Sequence, residues 1–322
     1  MSTLQVNEIT DTGGSTLLGR RNAIINGNFD VWQRGTSQTA AGYGSADRWN
    51  YLINESTQSV TRESFAVGQT DVPNNPKYFS RNVVTTAGTA SSYILQQHKV
   101  EGVETFAGET VTLSFWAKAD SAKSIVVEFV QEFGSGGSPS ASVFAIGVTT
   151  IPLTTGWQKH TVTASIPSIS GKTIGTNSDD CLTAEFWLDA GSTYNARTNS
   201  LGNQSGTFEF AQVQLEAGSV ATPFERRSYG EELALCQRYY LETQTYRSGY
   251  IVQGTAGVES TPFPVNMRAT PTLNVLTTDA LINCTGVSVV QDDNQGFRHH
   301  PSGGTSNIAT RYRVSISADA EL

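Results

Sequence analysis

Between residues 22 and 225 the chain repeats one pattern: short stretches in which apolar and polar side chains alternate, separated by turns rich in Gly, Ser and Asn. The clearest are residues 110–118 (TVTLSFWAK), 124–132 (SIVVEFVQE), 158–166 (QKHTVTASI), 182–189 (LTAEFWLD) and 207–215 (TFEFAQVQL). A period of two sends successive side chains to opposite faces of an extended chain, so each stretch predicts a strand with one face in a core. No long amphipathic helix intervenes to serve as a crossover, so the strands are expected to pair mainly antiparallel. Two facing sheets bury such alternating faces, and the pattern predicts an all-β fold with a jelly-roll β-sandwich over residues 22–225. Residues 133–139 (FGSGGSP) and 195–206 (NARTNSLGNQSG) are polar and Gly-rich and are expected as exposed loops without regular structure.

Outside the sandwich the pattern changes. Residues 1–21 alternate weakly and pass through the turn signal Asp11-Thr12-Gly13-Gly14; too short to bury a core, they are expected as an extended N-terminal arm held by a partner subunit or neighbouring chain. Residues 226–241 carry a helix signal: Ser228 stands at an N-cap position, Glu231 follows three residues later, and Leu233, Cys236 and Tyr240 form an apolar set. A helix of about three turns over residues 229–240 is too short for a coiled coil and reads as a connector. Residues 242–322 return to short strands, ending in RYRVSISADAEL, where Tyr312, Val314, Ile316 and Ala318 alternate with polar neighbours. They predict a smaller C-terminal β domain. No repeat of 20–50 residues is present, which argues against a β-helix or propeller.

Charged residues are only 16% of the chain and the net charge is -8, with no cluster of Lys or Arg. A groove tracking nucleic-acid phosphates has no electrostatic basis here, so nucleic acid is not expected as a partner. The first residues lack the basic start and apolar core of a signal peptide, and no apolar run approaches the ~20 residues that span a bilayer. Membrane insertion is therefore not expected, and synthesis in a cytoplasm is. Cys181, Cys236 and Cys284 show neither metal-ligand spacing nor an even count, and are expected reduced and mostly buried.

Two tryptophans change the functional picture. In residues 110–118 the apolar phase Val111, Leu113 and Phe115 leaves Trp116 on the polar face, and in residues 182–189 the phase Leu182, Ala184, Phe186 and Leu188 leaves Trp187 beside Glu185 and Asp189. Indole faces stack on sugar rings while carboxylates and amides bond the hydroxyls. If the two faces adjoin on one sheet, Trp116 and Trp187 with Glu128 and Glu185 form a candidate glycan site. The competing reading is that both indoles pack beneath loops or against neighbouring subunits. Trp32, Trp49 and Trp157 read as core or loop anchors. Catalytic signals are absent: the four histidines lack metal-protease spacing, and neither a nucleophile elbow nor a Walker loop occurs. Glu101, Glu104, Asp179 and Asp180 read as solvated loop acids, and His299-His300 ahead of Pro301-Ser302-Gly303-Gly304 reads as an exposed loop. No catalytic residue is assigned and no enzyme is expected.

The segments NAIINGNFDVWQRG (residues 22–35) and ADRWNY (46–51) resemble the opening of carbohydrate-binding-module-like jelly rolls in tail fibres and other structural proteins of tailed bacteriophages. GETVTLSFWAKA, GWQKHTV, AEFWLDAG and AQVQLEAGSVATPFERRSYGEELALCQRYY follow in that family's order, and TPFPVNMRATPTL resembles the start of its C-terminal module. The resemblance implies a homotrimer in a virion, attached to other virion proteins through the N-terminal arm, where Leu4, Val6, Ile9, Leu17 and Leu18 are the apolar positions. It also suggests recognition of a host cell-surface glycan. Related sandwiches hold a structural calcium between the opening loop and the last strand; here Asn28 and Asp30 are its candidate ligands, while Gln212 stands where an acidic ligand is expected. No other cofactor is implied. The function expected is a fibre or spike subunit for host attachment. The alternative is a purely architectural head-decoration or tail-collar protein, and a capsular depolymerase would require a paired-carboxylate cleft.

Overall fold

The computed structural model describes residues 21–251, 259–291, 293–303 and 308–322. The arm positions Leu4, Val6, Ile9, Leu17 and Leu18 lie outside these residues. The chain divides into two compact units, one of Thr36–Arg227 with the residues before Val31, the other of Val31–Gly35 with Ser228–Glu321.

The first unit is a sandwich. Its strands are β1 (Ser37–Gln38), β2 (Trp49–Asn54), β3 (Thr57–Ser64), β4 (Tyr78–Thr85), β5 (Tyr93–Glu101), β6 (Thr110–Ala119), β7 (Lys123–Glu132), β8 (Val143–Leu153), β9 (Gln158–Ser165), β10 (Cys181–Ala190) and β11 (Gly206–Ala217). They form a six-stranded sheet, β1-β3-β4-β11-β6-β9, and a five-stranded sheet, β2-β5-β10-β7-β8. Every pairing in both is antiparallel, which is the all-β jelly-roll architecture the alternation predicts.

Between the sheets, the inward phases named above meet as aromatic rings. Phe115, Phe186 and Phe210 lie 5.2–6.3 Å apart and Trp49 stacks on Phe29 at 5.0 Å. All five are fully buried. Fully burying one such ring stabilises the fold by about 2–3 kcal/mol, so this cluster is a substantial part of the core between the sheets. Residues 22–27 run beside β11, where the Ala23 N–H donates to the Leu215 carbonyl and the Val213 N–H to the Gly27 carbonyl, both at 2.8 Å. A Cβ on residue 27 would lie 2.0 Å from the Val213 oxygen, so only glycine allows this approach.

Of the two expected loops, residues 195–206 depart from the reading and residues 133–139 keep to it. Residues 195–206 are not structureless: a 3₁₀ turn (Ser192–Tyr194) leads into a single helical turn, α1 (Asn195–Thr198), which closes on the left-handed Asn199. Residues 133–139 are exposed around Gly136 and Gly137 but fixed, because the Gly175 N–H donates to the Phe133 carbonyl at 2.7 Å and the Ser135 N–H to Asp179 at 2.7 Å. Asp180 likewise accepts from the Val103 N–H at 2.8 Å, so these two acids tie loops together rather than sit free in solvent.

The second unit opens with helix α2 (Tyr229–Gln237), shorter than expected because Tyr240 begins the next strand. Ser228 Oγ accepts from the Glu231 N–H at 3.3 Å, the N-cap the sequence predicts. Six strands follow: β12 (Tyr240–Ile251), β13 (Glu259–Pro262), β14 (Thr272–Ile282), β15 (Gly286–Gln291), β16 (Gly296–Ser302) and β17 (Ile308–Asp319). They form two three-stranded sheets, β12-β17-β14 and β13-β16-β15, around Leu241, Met267, Phe297, Tyr312, Val314, Ile316 and Ala318. His299 is not in a loop. It is fully buried in β16, 2.5 Å from the Tyr312 hydroxyl through Nδ1. All three cysteines are free thiols, with Cys181 and Cys236 buried. Among the described residues no helix is long and apolar enough to cross a membrane.

Candidate functional site

The outer face of the five-stranded sheet carries the side chains that the core phase leaves behind. Strand register lines them up in rows. Asn50 of β2 stands opposite Gln97 of β5, Gln97 opposite Glu185 of β10, and Glu185 opposite Glu128 of β7. The adjacent row is apolar: Leu52, Leu95, Trp187 and Val126. Across these rows lies the 192–201 segment, whose Tyr194 and Leu201 pack on Trp187, Leu95 and Val126. The sheet thus has a core on one side and a smaller apolar layer on the other, which is why all ten residues of β10 are buried.

Arg197 of α1 is the clasp. Its Nε donates to Glu128 Oε1 at 2.9 Å and its Nη2 to Glu185 Oε2 at 2.8 Å, while the guanidinium lies 4.9 Å over the Trp187 ring and 4.4 Å over the Phe144 ring. Glu128 also accepts from Trp187 Nε1 at 2.9 Å and, on its other oxygen, from the Ala145 N–H at 2.8 Å. A fully buried carboxylate is tolerable only with donors on both oxygens, and Glu128 has them. Burial pushes the Glu185 carboxyl up to about 8, against the lowering pull of Arg197 and reinforced by its charge repulsion and hydrogen bond with Glu128. Both carboxyl groups thus take the same guanidinium, and the pair fixes an arginine.

What remains accessible is a groove of about 400 Å³ beside the clasp, within the range of small-ligand sites. Its walls include Phe144, 51% exposed, the half-buried Tyr93 and Tyr194 with ring centroids 5.0 Å apart, and the amides of Asn50 and Gln97. Asn50 Oδ1 is buried without a hydrogen-bond partner. The charges are mostly spent on each other: Arg197 on Glu128 and Glu185, and Lys99 on Glu132 at 3.3 Å. The groove therefore offers aromatic faces, phenol hydroxyls and amides.

The structure brings together Trp187, Glu128 and Glu185, the residues proposed from the strand phases, but not Trp116. Trp116 lies on β6 of the other sheet, packed with Phe65, Phe79 and Trp157. The face of Trp187 is not open either: the ring is 1% exposed, covered by Tyr93, Tyr194 and Arg197. Glu128 is fully buried. The groove residues Phe144, Tyr93, Tyr194, Gln97 and Asn50 are not singled out by sequence. Nor was Arg197, which lies in a stretch read as loop.

Near the start of the unit, Asn28 Nδ2 donates to Asp30 Oδ2 at 2.8 Å. Burial raises the Asp30 carboxyl, opposed by that hydrogen bond. Asn28 Oδ1 and Gln212 Oε1 are both buried without a hydrogen-bond partner, on segments held together by the Gly27–Val213 pairing. Oxygen donors of this kind suit a hard cation. Among the described residues no group of three His, Cys, Asp or Glu could hold a metal ion, so any such site would rest on one carboxylate and amide oxygens.

No protein-family model matches the sequence, and no curated protein matches it. Similar solved structures include a CBM4 structure, 18% identical, covering 60% of this chain and 98% of that one with a TM-score of 0.33. The family 11 carbohydrate-binding module from Clostridium thermocellum in complex with a β-1,3-1,4-mixed-linked tetrasaccharide is 13% identical, covering 58% and 98% with a TM-score of 0.33. The enzymatically active domain of tailspike protein 4 of bacteriophage CBA120 is 12% identical with a TM-score of 0.34; 61% of this chain is covered, but only 21% of that one.

Proposed function

We propose that this chain is a glycan-binding subunit of a tailed-phage fibre or spike, and that the groove beside Arg197 is its glycan site. The observation that carries the site is the set of partly exposed rings Phe144, Tyr93 and Tyr194, with the amides of Asn50 and Gln97 in the groove wall, arranged over a clasp whose charges are paired with one another. Sugar rings stack on aromatic faces, and amides and phenols complete the hydrogen bonds of the hydroxyls. The virion assignment, the homotrimer, attachment through the N-terminal arm and assembly into a phage particle are supported by the sequence resemblance in residues 22–51 and 211–273. Three weak sites on one rigid particle would act as one tight one.

The test is glycan-array and whole-cell binding by the purified protein with Phe144→Ala and Tyr194→Ala. Loss of at least tenfold in apparent affinity in each variant, with an unchanged circular-dichroism spectrum, is the expected result. Undiminished cell binding in both would remove the groove from the reading. Absence of any glycan or cell binding would favour the architectural alternative. The same reading takes Asn28, Asp30 and Gln212 as oxygen donors to a structural calcium. Calcium is then expected to raise Tm relative to EDTA, and Asp30→Ala to abolish the rise; equal Tm values in both buffers would rule the ion out.

A further inference from the structure

The outer face of the six-stranded sheet presents a second aromatic surface that the groove does not use. Phe65, Phe79 and Trp157 form a three-ring cluster with centroids 4.8–5.3 Å apart, and Trp116 packs on the same buried patch of Val72, Phe79 and Ala211. Phe79 is buried as the floor, whereas Phe65, Trp116 and Trp157 are half-buried. An alternation that merely covered a core would leave polar side chains here, as Thr161 and Thr163 do further along β9.

Beside the rings stands a pair of cations fixed from below. The Glu209 carboxylate, 5% exposed, accepts from Arg81 Nε at 2.6 Å on one oxygen and lies 2.8 Å from Lys118 Nζ on the other. Lys118 Nζ is 5.4 Å over the Trp157 ring, and Arg81 is 5.7 Å over Phe79. A buried carboxylate shared by two partly exposed cations holds both in place at the surface. Lys159, exposed, stands opposite Trp116 on β9 with a main-chain carbonyl, that of Thr222, as its partner at 3.3 Å. Two further acids share the face: Glu63, at 3.2 Å from Arg81, and Glu216 of β11, opposite Thr112 and buried on the Thr222 N–H and hydroxyl; the flanking loop adds Asp71 and Lys77, which cancel. Around an aromatic floor, solvent thus meets Lys118, Arg81, Lys159 and the Glu63 carboxylate, while the Glu209 and Glu216 carboxylates are buried beneath them, in a chain whose net charge is -8.

We infer that this face is a second binding site, for a sugar ring bearing an anionic substituent. The ring stacks on Trp157 or Trp116, and the anionic group is met by Lys118, Arg81 and Lys159. Charge complementarity decides the class: a neutral sugar would leave the cation pair unused, and the groove on the opposite sheet, with its charges internally paired, already suits one.

The test is affinity electrophoresis of the full chain in gels containing polygalacturonate, dextran sulfate, neutral dextran or polyglutamate. Retardation by one of the two acidic glycans, absent with dextran, is expected. Lys118→Gln removes the charge while keeping a polar side chain and should weaken that retardation at least tenfold, as should Trp157→Ala, while Tyr194→Ala in the groove should leave it unchanged. Retardation by polygalacturonate would indicate a carboxylated sugar and by dextran sulfate a sulfated one. Absence of retardation in both, or retardation indifferent to Lys118→Gln and Trp157→Ala, overturns the proposal. Equal retardation by polyglutamate overturns it in favour of an acidic protein partner. Because Tyr194→Ala reports on the groove alone, failure of this site and failure of the groove remain distinguishable.

Discussion

Glu185 sets the acid–base behaviour of the groove. Its carboxyl is held at about 8, above its ordinary 4.5, so it keeps a proton in the folded chain over a range in which the unfolded chain has lost it. Stability therefore falls as pH rises from about 4.5 to about 8 and levels off above that. Glu185→Gln, which copies the protonated form, removes this dependence. In thermal melts from pH 5 to pH 9, the Tm advantage of the native chain over Glu185→Gln should shrink as pH rises; a difference that stays constant would show that Glu185 is ionised throughout. At this scale the sequence was partly legible. The alternation of residues 182–189 puts Glu185 and Trp187 on the outward face, and the same phase places Glu128 there. Alternation assigns a face, however, and never a sheet, so Trp116 carries the same outward signature although it belongs to the other sheet. Arg197 was out of reach because nothing in NARTNS announces a clasp.

Among the elements, the five strands read from periodicity match the observed ones to within two residues at each end, because each has one face in a large apolar core. Strand β5 was not legible in this way. Its inward phase contains Gln96 and His98, which are satisfied across the interior: Asn82 Nδ2 donates to Gln96 Oε1 at 3.0 Å and the Ile25 N–H to His98 Nε2 at 3.1 Å. Burial pushes the His98 imidazole well below its ordinary range, so it accepts as the neutral ring. With polar residues on both faces, the strand hides Tyr93 and Gln97 from a pattern-based search. The 192–201 segment was hidden for a different reason, since one helical turn is too short to show a period. Helix α2 was legible from its cap alone. Ser228→Ala should lower stability by about 1 kcal/mol, measured by denaturant melts; an unchanged midpoint would mean that solvent replaces the hydroxyl at the first turn.

At the scale of the whole molecule, the sandwich supplies two outward faces of different character. One has its charges internally paired and presents rings, phenols and amides; the other presents rings and fixed cations. Rigid sheets hold such groups in place without the ordering cost that loops would incur on binding. The central claim is that the groove beside Arg197 receives a glycan, and the Trp187 indole N–H, donating to Glu128 within it, reports on that groove directly. The decisive measurement is an NMR titration of protein labelled with ¹⁵N at tryptophan, using a neutral oligosaccharide identified on the array. The account predicts that the Trp187 indole signal shifts with saturation while those of Trp116 and Trp157 stay in place. Movement of Trp116 or Trp157 with Trp187 unchanged would contradict it.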